Sequence, residues 1–219
     1  MRLVLWMWAG IAICLMAVLA PGDGFAQPRC VFLECGPGNA PNPEPAQAPR
    51  IGQTSPGAAA QMRHLPRQKR RGERCHSVGG YNYCVSSVLA PQFGNTYGPD
   101  RLVDEDLRTA WVEGRSDQGE GEYIAVDLGG THRVSGIQVM NGYHKNVRLF
   151  AANSRVRSAV LRFSNGSSLE VRLKDEPGIQ TIEFSAREAN WIVFELRSVF
   201  AGTKYKDTAV TEFRVLTTN

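Results

Sequence analysis

The chain has 219 residues and a formal net charge of +4, with 42% hydrophobic and 21% charged residues. These figures exclude a coiled coil, a collagen-like chain, a fully disordered chain and a multispan membrane protein. A pI near 8.9 would suggest nucleic acid if the charge lay on the folded part. Residues 27–74 carry eight bases and three acids, while residues 75–219 carry sixteen bases and seventeen acids. The folded part is therefore near neutral at −1, and a specific nucleic-acid partner is not expected.

Arg2 precedes an apolar run from Leu3 to Ala20. Eighteen residues reach the lower limit of a membrane span, but the N-terminal position and the small residues after the run predict a secretory signal peptide. Gly24-Phe25-Ala26 places small residues at −3 and −1 for cleavage before Gln27, and the alternative is an uncleaved anchor. After cleavage no transmembrane span is expected, and the protein is read as secreted or periplasmic. Cys14 leaves with the signal. Cys30, Cys35, Cys75 and Cys84 remain, an even set in an exported chain, which predicts two disulfides. Of three connectivities, the local pairs Cys30–Cys35 and Cys75–Cys84 are preferred. Zinc is the alternative, although no paired C-x2-C spacing or histidine pair accompanies these cysteines.

Residues 36–72 hold seven prolines and almost no aliphatic or aromatic residue. Such a segment buries too little surface to offset its ordering entropy, so 27–74 is predicted to be a disordered, basic linker. Its end, 67–74, reads as a solvated hinge or as a patch for an anionic surface. From Cys75 to Asn219 the texture changes to short runs bounded by Gly, Asn and Ser. The predicted strands are Tyr83–Leu89, Glu122–Leu128, Arg133–Met140, Val156–Phe163, Ser168–Lys174, Ile179–Phe184, Trp191–Val199 and Ala209–Leu216. Asn165-Gly166 between two of them is a hairpin signal. No long 3.6-residue period appears. Eight such strands in one domain predict an all-β fold, an antiparallel β-sandwich. Up-and-down alternation puts loops 111–121, 141–155, 175–178 and 200–208 at one end, and the short turns 129–132, 164–167 and 185–190 at the other. The long loops are the expected binding surface.

Leu102-Val103-Asp104-Glu105-Asp106-Leu107-Arg108-Thr109-Ala110-Trp111 resembles the L-x-D-G-D-x-x-T-x-W signature of discoidin (coagulation-factor type C) and galactose-binding-like domains. Further segments follow in order: Trp111–Gly114, Gly119–Glu122, Asn141–Tyr143, Asn153–Arg157 and Gly202–Glu212. Over residues 85–217 this series is similar to the discoidin-like translocation-type domain of NAD-glycohydrolase toxins, described as glycan-binding. The resemblance implies a jelly-roll binding module rather than the NAD-cleaving part, which is a separate domain. It also implies a structural Ca²⁺ held by Asp104, Thr109, Glu212 and a carbonyl of Asp106. Oxygen-rich loops suit that ion. Glu105 replaces the glycine of the D-G-D turn. A capped turn at Asp104, with Glu212 paired to a base, is the plainer reading.

A sugar site needs aromatic faces and planar polar groups. At the long-loop end, Tyr143, Tyr205 and Trp111 offer faces. Glu113, Glu122, Asn141, Lys145, Asn153, Arg155 and Lys204 offer hydrogen bonds. Trp111 can equally be core, Asn141-Gly142 only a turn, and Arg155 a loop clamp paired with Glu122 or Glu113. Glu113, Glu120 and Glu122 are carboxylate-rich, but Glu120 and Glu122 are too close in sequence to face each other across a cleft. No G-x-S-x-G, H-E-x-x-H or phosphate loop is present. The chain is therefore read as a non-catalytic module for carbohydrate or a cell-surface glycan. An envelope-protein scaffold and an electrostatic tether are the alternatives.

Overall fold

The computed structural model describes residues 66–218. The expectations for the signal peptide, for the linker up to residue 65 and for Cys30–Cys35 lie outside the described residues.

Among the described residues eight strands build the fold: β1 (Arg74–Val78), β2 (Tyr81–Val85), β3 (Trp111–Val112), β4 (Tyr123–Asn141), β5 (Arg155–Phe163), β6 (Ser168–Arg172), β7 (Ile179–Phe200) and β8 (Ala209–Thr218). One short helix, α1 (Val147–Ala152), lies between β4 and β5. All the strand pairings are antiparallel. Two strands run longer than the sequence suggests. Glu122–Leu128 and Arg133–Met140 join into β4, and Ile179–Phe184 and Trp191–Val199 join into β7. The β4–β7 register breaks between Asp127 and His132. There the paired strands pass from one layer to the other.

The first layer runs β1-β2-β4-β7-β5-β6. The second runs from the N-terminal half of β7 through the C-terminal half of β4 to β8 and β3. Alternation sends Ile124, Val126, Phe194 and Leu196 inward from the first layer to meet Ile137, Val139 and Phe213 from the second. Phe194 and Phe213 touch across the seam with ring centroids 5.3 Å apart. An antiparallel β-sandwich is therefore the architecture. In β5 the alternation is broken once: Val156 and Ala159 both point into the core, because the register shifts around Ser158.

The loop ends follow the predicted direction. At one end Thr208 Oγ1 donates to the Gln118 carbonyl, Thr203 N to Ala151 O, and Gly178 N to His144 Nε2. At the other, Thr131 meets Asn190, and Asn190 N donates to Ser164 Oγ.

The basic segment is fixed where it is described. Arg67 Nη1 lies 2.8 Å from Glu73 Oε1, and these side chains are only 6% and 4% exposed. Tyr123 OH donates to the same carboxylate at 2.6 Å, and Arg70 stacks over the Tyr123 ring. Arg70 and Glu73 thus hold this segment against the outer face of β4, in a stretch that the sequence reads as a solvated hinge or as a patch for an anionic surface. Cys75 and Cys84 sit opposite each other in β1 and β2 and form a disulfide. No thiolate remains there for zinc.

Candidate functional site

The resemblance motifs mostly build a frame. Trp111 is fully buried, and its indole N–H donates to Ser87 O at 2.9 Å. Its ring faces the core and no ligand surface. Glu113 is also fully buried. Its oxygens accept from Arg115 N at 2.7 Å and Thr208 N at 3.1 Å, which ties loop 113–121 to the end of loop 200–208. Burial pushes its carboxyl up to about 7, against the two backbone N–H groups, which favour the charged form. Glu122 accepts hydrogen bonds from the hydroxyls of Ser86 and Ser87. Asn141 bonds both the N–H and the carbonyl of Val156, at 2.8 and 2.7 Å. Arg155 pairs with neither Glu113 nor Glu122. It forms a two-pronged contact with Asp175, at 2.6 and 3.0 Å, and donates to the carbonyls of Phe150 and Asn153. These five side chains are spent on structure.

The Glu113 environment has a testable consequence. Its carboxyl is near 7 when folded and 4.5 in its ordinary state. Between those values the folded chain binds a proton that the unfolded chain has released. Its stabilising contribution is therefore full below about pH 4.5 and is lost as pH rises through about 7. Thermal melts of the Glu113→Gln variant should show a flatter decline across that window than the parent chain.

The other five sugar-site candidates converge. Tyr143, Lys145, Asn153, Lys204 and Tyr205 line one open pocket of about 340 Å³. Its floor is apolar, from Leu89, Tyr97, Val112 and Leu149. Tyr143 is held by its hydroxyl donating to Arg108 O at 3.2 Å. Asn153 caps α1 by donating to Leu149 O at 2.9 Å. At the other end of α1, Asn146 Oδ1 accepts from Leu149 N. Lys204 Nζ lies 5.0 Å from the Tyr205 ring centre, and Lys145 Nζ donates to Asn95 Oδ1 at 3.3 Å. Gly202 packs where a Cβ would stand 2.4 Å from Ala152 O, so the 200–208 loop can lie directly on α1 only with glycine there.

One wall lies outside the sequence motifs. Gln92 and Asn95 exchange backbone hydrogen bonds at 3.2 and 2.8 Å around the two-residue turn Phe93-Gly94. Both turn residues have positive φ, 51° and 77°. Two-residue hairpin turns need this backbone, but a phenylalanine there costs on the order of 1 kcal/mol. The turn holds Phe93 96% exposed at the pocket rim. Gln92, Asn95, Tyr97 and Asp207 were missed with it. The available signal was the Gly94-Asn95 dipeptide between aromatic residues at 93 and 97.

The expected cation loop is a compact turn. Thr109 Oγ1 lies 2.8 Å from Asp104 Oδ2 and 3.1 Å from Asp106 O. Asp104 also accepts from Asp106 N, and Arg101 lies 3.2 Å from it. The Asp106 carboxylate is taken by Arg108. Glu105 keeps the turn with φ 60° despite having a side chain. Both carboxylate oxygens of Glu212 are buried and lack a hydrogen-bond partner, and Arg214 stands 3.6 Å away. Burial raises the Glu212 carboxyl above its ordinary value.

The family model for the NAD glycohydrolase translocation F5/8 type C domain matches residues 76–216. The chain belongs to this family. No curated relative matches significantly. Among solved structures, this F5/8-type domain is similar to part of the mycobacterial arabinofuranosyltransferase AftD. Identity there is 18% and the TM-score 0.52, over 71% of this chain and 13% of that one. It is also similar to a family 32 carbohydrate-binding module of NanJ from Clostridium perfringens, solved with galactose. That match has 16% identity and a TM-score of 0.47, over 62% of this chain and 93% of that one. A second Clostridium perfringens module, solved with GalNAc-β-1,3-galactose, matches at 15% identity and a TM-score of 0.49, over 63% and 96%. The F5/8 type C family match and the likeness to AftD agree with the antiparallel β-sandwich described above. No helix among its described residues is long and apolar enough to cross a membrane.

Proposed function

We propose that this domain is an exported, non-catalytic module that binds carbohydrate in the pocket between the Phe93 hairpin, α1 and the 200–208 loop. The observation that carries this reading is the pocket's composition. An exposed Phe93 and Tyr205 offer flat faces for sugar C–H groups, while Asn95, Asn153, Lys145 and Lys204 offer polar contacts around an apolar floor. The resemblance of the 102–212 motifs to a discoidin-like domain described as glycan-binding supports it. The non-catalytic reading is supported by the carboxylates. Glu113 and Glu122 are committed to backbone and serine donors, and Asp207 is the lone carboxylate among the pocket-lining residues. Glycoside hydrolysis ordinarily needs two facing carboxyl groups. The test is a glycan panel probed with the full chain and with a Phe93→Ala/Tyr205→Ala variant. Sugar-inhibitable binding that the variant loses supports the reading, and silence from a folded chain counts against it.

A second reading rests on apolar tips. Phe93, and Val147 at 86% exposure, are both large hydrophobics on this loop end. They suit an envelope-protein partner, the scaffolding alternative. Partner capture that free sugars do not displace would favour it.

A structural Ca²⁺ belongs to the same proposal. The buried Glu212 carboxylate, which among the described residues accepts no hydrogen bond and pairs only with Arg214 at 3.6 Å, fits a hard cation, as do the Asp104 carboxylate, the Thr109 hydroxyl and the Asp106 carbonyl. Bound there, the ion would neutralise a buried anion and lock the 104–109 turn to β8. Calcium in excess should raise the melting temperature of the full chain, and Glu212→Gln should abolish that rise. Magnesium should not substitute, because it demands stricter octahedral geometry.

A further inference from the structure

We propose a second binding site, for an oxyanion such as a phosphate monoester, sulfate or carboxylate, on the outer face of β5, β6 and β7. It is a hollow of about 360 Å³ lined by Arg157, Ser158, Arg172, Leu173, Ser198 and Phe200. None of these residues lines the sugar pocket.

The register explains how the polar groups meet. Ser158 pairs with Arg172 on one side and with Ser198 on the other, so the three form a row across the layer. Strict alternation would send Arg157 to the opposite face. Instead the register steps from Val156↔Val199 to Ser158↔Ser198, leaving Arg157 as the extra residue of a bulge. Bulges re-aim side chains, and this one puts Arg157 beside Ser158 in the same hollow. Its guanidinium is 5.8 Å from the centre of the Phe200 ring, which limits where it can swing.

The chemistry is cationic and rich in donors. Among the described residues Arg157 has no carboxylate within ion-pair distance, and the lining contains no acid. Arg172 contacts Glu170 at 3.2 Å, but both side chains are more than half exposed, so the pair is weak. The Ser158 and Ser198 hydroxyls lie 2.6 Å apart, so only one can donate to the other. The second hydroxyl proton is left to turn toward an incoming oxygen. Two guanidinium forks and one hydroxyl are the donor set that planar or tetrahedral oxyanions require.

The test is titration of the full chain with sodium phosphate at constant ionic strength, following the amide signals of Ser158 and Ser198. Saturable shifts are expected, weakened about tenfold or more in an Arg157→Gln/Arg172→Gln variant, which removes about 1.4 kcal/mol or more of binding. Arg162→Gln, which alters a neighbouring pair on the same layer, should leave them unchanged. The altered side chains are exposed, and a melting curve checks that the double variant folds. Glucose 6-phosphate and vesicles of equimolar phosphatidylcholine and phosphatidic acid then separate a soluble phosphate ester from a lipid headgroup. Tighter binding of either identifies the carrier. Shifts that never saturate, or that persist in the double variant, would overturn the proposal.

Discussion

Trp111→Ala should destabilise the domain by about 3–5 kcal/mol, the cost usual for deleting a fully buried large aromatic. The side chain is wholly inside the core cluster with Leu102, Ile124 and Phe213, so its removal leaves a cavity that the two layers cannot close. β3 is only two residues long, and Trp111 pairs there with Val210. Trp111→Phe separates packing from polarity, because it keeps much of the volume and strands the Ser87 carbonyl that the indole N–H satisfies. That variant should lose about 1–3 kcal/mol. Denaturant melts measure both. A Trp111→Ala chain that melts like the parent but loses ligand would instead make the tryptophan a binding platform.

Arg155→Ala should cost about 2–3 kcal/mol, less than a fully buried pair would, because Asp175 remains 40% exposed and can be hydrated. The larger consequence is geometric. Arg155 donates to the carbonyls of Phe150 and Asn153 and stacks on the Phe150 ring, so it fastens the end of α1 to β5. Gly142 leaves room for it, since a Cβ there would sit 2.9 Å from Arg155 Cγ. Asn153 lines the pocket, and Lys204 and Tyr205 are hung from the carbonyl of Ala152. Releasing α1 should therefore weaken sugar binding although Arg155 is absent from the pocket wall. Melts combined with titration check this. Unchanged affinity in a destabilised Arg155→Ala chain would show that α1 stays in place without the clamp.

The sandwich was legible because its buried strands alternate cleanly. Ile192, Phe194 and Leu196 point inward as their spacing requires. The continuity of β4 was hidden, since Gly129-Gly130-Thr131-His132 has the composition of a turn yet carries the strand between layers. β1 was missed because its residues are largely exposed and polar, and α1 because six residues cannot show a helical period. Of the ten sugar-site candidates, five line one pocket and five hold the frame around it. Motif residues such as Glu113, Asn141 and Arg155 lie at the right end of the domain, but their polar groups hold loops together there. Sequence spacing finds a loop frame because the frame is tied to strand ends. The Phe93 wall depends on a turn outside every motif, so no spacing pointed to it.

The most direct test of the proposal that this pocket binds carbohydrate is amide shift mapping of the full chain, titrated with the saccharide that binds best on the panel. The result expected is a saturable set of shifts confined to residues 89–97, 143–153 and 203–207, lost in Phe93→Ala/Tyr205→Ala. Saturable shifts centred elsewhere on the sandwich, with these three segments unmoved, would contradict it.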